Sequence, residues 1–402
     1  MGAVRARTDT AGFLAMTVIR NRVLLVLGLV ALAGVLALPV LTNAPNRLLS
    51  GRPIGALDLA APWGPVAIAA AALLLAGAFV PSRRGTLVVQ LLAGIGIAIG
   101  LVWLAGRQAE LLAVGARPSA RTSLGAGFWV LALAALLAAA DAARRLRLGP
   151  LARLGTALLL AVPVAALIAG GAVDQLSLMK EYVQQHGVFA PQVLRHLLLV
   201  GLALVPTLLI GVPLGIAAHR STAARGPIFS ILGIIQTVPS IALFGLLIAP
   251  LSALSEALPW LGISGIGITP AVIALTLYSL LPIARNTAAG LDQVEAGVID
   301  AARGIGMTRR QIFRKVEVPL ALPVFLSGLR ITLIQAIGLT AVAALIGAGG
   351  LGAVMFQGLF ANALDLVLLG ALPIILMAVA VDAVFRILVA ALQAPSSARR
   401  AA

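Results

Sequence analysis

Apolar residues in this chain do not recur at the spacing of a single helix face. They run on in long unbroken stretches, and polar positions gather in the gaps between them. A stretch of roughly 17 to 25 apolar residues matches the hydrocarbon thickness of a bilayer when it is helical. Ten such runs are visible, at about 23–41, 65–80, 87–104, 127–143, 155–173, 196–217, 228–250, 269–284, 324–346 and 365–390. In lipid the backbone has to satisfy its own hydrogen bonds, so each run is predicted as a transmembrane helix. The expected fold is all-α, a polytopic membrane protein of about ten helices. The first run follows Arg20 and Arg22 as a signal peptide would, but its 19 residues exceed a typical signal core and suit a bilayer span.

Composition agrees: 61% of the 402 residues are hydrophobic and 10% charged, and the mean hydropathy is +1.10, outside the range of soluble domains. The net charge of +16 does not point to nucleic acid, because the basic residues punctuate apolar runs instead of sharing one surface. Their distribution is topological. With the N-terminus inside, 21 of the 29 Lys and Arg fall on the inner side, seven fall outside, and Arg330 stands within a span. That bias places both termini in the cytoplasm, with 174–195 as an outer segment. The absence of cysteine excludes disulfides, zinc-thiolate sites and thiol nucleophiles. His186, His196 and His219 are scattered without partners at metal-ligand spacing, so no metal site is expected.

The chain falls into two parts. Residues 1–175 hold five spans with bland loops, and Gly96 and Gly100 form a small-xxx-small pair suited to close helix packing. The informative part is 192–393. Within it lies a long polar segment, 292–319, that reads as two short helices joined by a glycine turn. The first carries Val294, Val298 and Ala302 on one face and stops at Gly304 and Gly306, since glycine accepts the left-handed backbone of a helix end. The second begins at Thr308 with Gln311 three residues on, a capping-box pattern, and Pro319 is predicted to close it. Ile312, Phe313 and Val316 form its apolar side, and Arg309, Arg310, Arg314 and Lys315 face solvent or a partner. Physics alone allows either a helix resting on anionic lipid or a docking surface.

The order of residues within this segment resembles the EAA loop of binding-protein-dependent ABC permeases. Asp300, Ala301 and Ala302 are followed by Gly306, and nine residues later by Val316-Glu317-Val318-Pro319. The departures from the family pattern are Asp300 for Glu, and Val316 and Val318 for Ile and Leu. Three further stretches, IIQTVPSIALFGLLI at 234–248, LYSLLPIARNTAAGL at 277–291 and AALIGAGGLG at 343–352, are similar to permeases for glycine betaine, carnitine and choline. The resemblance implies a type I ABC importer permease in an inner membrane, taking osmoprotectants. It further implies that Asp300, Ala301, Ala302, Gly306, Met307, Thr308, Arg309, Arg310 and Pro319 couple it to an ATPase subunit. An external substrate-binding protein, and a second copy or a related permease, are the other partners implied. A type I permease for another small solute such as an amino acid is the alternative.

The remaining signals fit a transport subunit that is not itself an enzyme. A Walker A loop needs Gly directly before Lys, and Lys180 and Lys315 follow Met179 and Arg314, so ATP and Mg²⁺ would be held by a separate subunit and this chain carries no cofactor. GAGGLG at 347–352 follows a membrane span and not a strand, which makes it a tight outer turn and not a dinucleotide fingerprint. An ion-coupled transporter would place ionisable relays deep in the bilayer. Only Asp382 lies well inside a span, with Arg386 one turn later to pair with it. Ser240 has no neighbouring His or Asp to make it a nucleophile, and Pro239 beside it suggests a broken helix lining a pathway. Gln236, Thr237, Ser240, Gln335 and Thr340 are the candidate pathway residues, with hydrogen bonding between helices as the other role open to each.

Overall fold

The computed structural model describes residues 19–47, 49 and 51–398. Two units emerge, residues 1–183 and 184–402.

In the first unit α1 (Arg22–Ala37) is capped by Asn21, whose side-chain oxygen accepts from the Val23 and Leu24 N–H groups. Asn21 also donates to Asp141 at 3.0 Å, and Arg145 reaches both Asp141 (2.7 Å) and Asn21 (2.9 Å). This buried polar node ties the start of α1 to the end of α4. At 16 residues α1 is shorter than the run 23–41. Pro39 forces Leu38 into extended backbone, and the chain enters a strand. That strand, β1 (Leu41–Ala44), is the centre of an antiparallel sheet ordered β2-β1-β3, with β2 at Arg52–Ile54 and β3 at Arg121–Leu124. Leu41 pairs with both Ile54 and Leu124. The loops expected to be bland thus build a small cap. The helices beneath it are α2 (Trp63–Ala76), α3 (Arg84–Ala113), α4 (Ala126–Arg145) and α5 (Pro150–Ala169). Close backbone approach holds α1 on α2: a Cβ built on Gly28 would lie 2.4 Å from Leu75 Cα. Gly96 and Gly100, expected to serve such packing, have nothing within 4 Å and face outward from the unit.

Crossing into the second unit, α6 (Ser177–Arg220) is one helix of 44 residues. At 1.5 Å per residue it is about 66 Å long, twice the ~30 Å hydrocarbon core, so part of the segment 174–195 expected as a loop is helix instead. The run 228–250 is not continuous. It divides at Val238-Pro239 into α7 (Thr222–Thr237) and α8 (Ser240–Ala257). Then follow α9 (Ile268–Asp292), α10 (Ala296–Gly304), α11 (Arg309–Ile312), α12 (Val318–Val342), α13 (Leu351–Phe360) and α14 (Leu364–Ala398). α9 is the buried centre of this unit and packs along α12.

Among the described residues eight helices are long and apolar enough to cross a membrane. The first two runs appear as shorter apolar helices. α13, with 10 residues, has the length of a re-entrant or interfacial piece and begins at the end of the 347–352 stretch read as an outer turn.

Candidate functional site

The polar segment 292–319 has a rigid local design. α10 ends at Gly304, and Gly306 adopts φ +83°, the left-handed conformation that closes a helix. Its N–H donates to Arg303 O at 2.9 Å, and the Met307 N–H donates to Ala302 O at 3.1 Å. No atom lies within 4 Å of a Cβ built there, so a side chain at 306 meets backbone strain and not a neighbour. Thr308 then caps α11 reciprocally: Gln311 N–H donates to Thr308 Oγ1 at 3.3 Å, and Thr308 N–H donates to Gln311 Oε1 at 2.7 Å. Asp300 pairs with Arg303 at 2.9 Å, and both are exposed. Ala302 and Ile312 are buried and Met307 is half-buried, whereas Ala301, Arg309 and Arg310 are exposed. Val298, grouped with Val294 and Ala302 from the sequence, is exposed, and Ile305 at the tip is 80% exposed. An apolar side chain beside a tight exposed turn is suited to seating in a partner's cleft.

Pro319 does not close this helix. Phe313–Glu317 forms a π turn, with Val318 N–H donating to Phe313 O, and the chain continues directly into α12. Widening the turn accommodates a residue that has no N–H and whose ring would crowd the carbonyl four residues back. Arg309–Ile346 is therefore one apolar rod of 38 residues.

The end of α6 meets the same region. Arg220 lies 4.9 Å from the centroid of the Phe313 ring. His219 Nδ1 is 2.7 Å from Asp292 Oδ1, and Arg225 reaches Asp292 Oδ2 at 2.9 Å. Together His219, Arg220, Arg303, Arg309 and Arg310 help line a cavity of ≈ 550 Å³. From the sequence Arg220 is only an inside charge and His219 only a scattered histidine, because their partners are more than seventy residues away.

At the polar break, α7 and α9 exchange hydrogen bonds. Gln236 Nε2 donates to Tyr278 O at 2.7 Å, and Tyr278 Oη donates to Val238 O, the carbonyl that the break leaves without a helical partner. Thr237 is exposed and donates to Ile234 O, and Ser240 and Gln335 are half-buried. Thr340 is fully buried and donates to Ala336 O at 2.8 Å. The break thus gathers Gln236, Thr237 and Ser240, while Gln335 and Thr340 belong to α12. Tyr278 is the residue missed, since only a non-local contact shows its role. The glycine turn after α12 has positive φ at Gly347, Gly349 and Gly350, and Gly350 N–H donates to Gln192 Oε1 at 2.7 Å.

Residues 208–394 match the family described as binding-protein-dependent transport system inner membrane component. Residues 20–179 match the N-terminal domain of the ABC transporter permease YehY. The osmoprotectant import permease protein OsmW of Salmonella typhimurium is 43% identical over 196 residues, 49% of this chain and 87% of that protein. The glycine betaine/carnitine/choline transport system permease protein OpuCD of Bacillus subtilis is 37% identical over 204 residues, 50% of this chain and 83% of that one. Among solved structures, an inward-facing MetNI methionine ABC transporter matches at 26% identity and TM-score 0.46, over 52% of this chain and 98% of that chain. On its sequence, its helices and these relatives, the chain belongs to the inner-membrane permeases of binding-protein-dependent ABC importers.

Proposed function

We propose that this permease carries small osmoprotectants, glycine betaine or related quaternary amines, inward by alternating access. The 43% identity to an osmoprotectant permease supports the substrate class. The observation that carries the mechanism is the capped glycine turn at 300–319, exposed at its tip and continuous with α12. Asp300, Ala301, Ala302, Gly306, Met307, Thr308, Arg309, Arg310 and Pro319 seat this turn on an ATPase subunit, which holds ATP and Mg²⁺. A substrate-binding protein delivers the solute from outside. α7 and α8 bury only Leu232, Phe244 and Leu251, and their open faces suit pairing with a second copy or a related permease around a pathway near Gln236, Thr237, Ser240, Gln335 and Thr340.

Methylated ammonium groups favour cages of several aromatic rings. Three rings of this unit are already engaged: Phe244 is buried, Tyr278 holds Val238, and Phe229 has Arg225 and Arg285 within 5.9 and 5.8 Å. Tight selection therefore resides in the binding protein, and the permease pathway is weakly selective.

Uptake of labelled glycine betaine is expected to require this chain, the ATPase and the binding protein together. Transport of an amino acid in place of any quaternary amine overturns the substrate, and uptake without the ATPase overturns the mechanism as well. Orientation is tested on the cysteine-free chain with single cysteines at Thr308 and Gln185. An impermeant reagent outside sealed cells is expected to label the second alone, and labelling at Thr308 reverses the topology.

A further inference from the structure

A wide cavity stands in the first unit. It measures ≈ 850 Å³ and lies between the three-stranded sheet and the C-terminal end of α3. Arg52 from β2 and Arg117 from the loop after α3 line it, and neither is in an ion pair among the described residues. Asp58 is the acid in the wall, and its Oδ2 already accepts the Gly55 N–H at 3.2 Å. Leu111 and Leu112 give the wall an apolar side.

Gln108, also in the wall, is 3% exposed. Its Oε1 accepts from Ala60 N–H at 3.3 Å, which fixes the orientation of the amide, and its Nε2 has no partner among the described residues. Reversing the amide would set two donors against each other at Ala60. A buried donor without a partner is destabilising, and a bound acceptor removes that cost. Two unpaired guanidiniums and one free amide N–H₂ beside an apolar wall are a donor set for an acceptor-rich, negatively charged ligand with a hydrocarbon stem.

We infer that this cavity binds a small water-borne carboxylate anion, a dicarboxylate of short stem. All its lining residues belong to the first unit, and it gives the extension a ligand of its own. Guanidinium forks match carboxylates bidentately, and two of them suit two carboxylate ends better than a cation such as a quaternary amine.

The test uses the full chain purified in detergent, with thermal unfolding followed in succinate, glutarate or adipate and in choline chloride at equal ionic strength. At least one dicarboxylate is expected to raise the midpoint by a few degrees at saturation, and choline is not. The paired substitution Arg52→Gln with Arg117→Gln, both at exposed positions, is expected to abolish the shift with the unliganded midpoint unchanged. Gln108→Leu is expected to weaken binding about tenfold through the lost amide donor. Should Gln108→Leu fail to fold, the arginine pair decides alone. No shift with any of the three anions, an equal shift in the arginine variant, or stabilisation by phosphatidylglycerol nanodiscs without any by the soluble acids would each overturn the inference. None of these readouts involves transport, so they stand apart from the permease reading.

Discussion

The two units bury their apolar side chains differently. The first unit concentrates most of them in one large core, running from Leu24 and Val35 through Leu41 under the sheet to Leu104 and Leu131, with a small second group around Leu91 and Ala142. The second unit scatters them into separate small clusters: Phe244 with Ala271, Leu351 with Ile374, Leu232 with Ala284. The same unit carries the break at Pro239 and the glycine turn at 347–350, whose Ala348 belongs to the Phe244 cluster. A continuous close-packed core resists deformation, whereas small clusters joined at breaks can shift as blocks. Only the second unit has the construction of a machine that changes shape.

The sharpest test of that contrast is Gly306→Glu. The left-handed turn strains by about 1–3 kcal/mol and gains a charge, so uptake is expected to fall about tenfold or more. Insertion should hold, and the thermal midpoint should fall by no more than the few degrees that the turn strain accounts for, because nothing packs on the position. Normal ATP-dependent uptake by this variant removes the coupling role from the segment. Gly28→Val should do the reverse. It drives a side chain into the Leu75 backbone, 2.4 Å away, and overpacking of this kind costs about 1–3 kcal/mol. The midpoint drops, while uptake per folded molecule is expected to stay near wild type; loss of uptake in folded protein would show that the first unit takes part in the transport cycle. The smallest effect belongs to Tyr278→Phe, which frees the Val238 carbonyl at a cost of about 0.5–1.5 kcal/mol. Uptake rates should change by less than about tenfold, and an unchanged rate would remove the break from the moving parts.

The same contrast explains what could be read from the chain before its structure. Thr308 with Gln311 and the turn at Gly306 were legible because capping and left-handed closure are decided within three or four residues. Pro319 misled for the complementary reason. The rule that proline ends a helix assumes an α ladder, and one widened turn sets that assumption aside. Pro239 signalled a break, yet Tyr278, which satisfies it, lies 40 residues away from Val238. The sheet was invisible because its strands are three or four residues long and β1 pairs with a β3 some eighty residues on. Asp292 stayed hidden with them, since His219 and Arg225 reach it from two other helices.

The π turn also has a mechanical meaning. Because it joins α11 to α12 without a hinge, Arg309–Ile346 behaves as a crank about 57 Å long at 1.5 Å per residue. On the proposed coupling role, force applied to the short arm at 309–312 would not be dissipated in a flexible linker but would arrive in the bilayer as tilt and torsion. The extra residue in the wide turn advances the shaft by about 100°, which sets the phase between the arm and the shaft. Arg220 over the Phe313 ring and Arg330 against Asp382, 3.4 Å apart, hold that shaft at two points, one at the π turn and one inside the span.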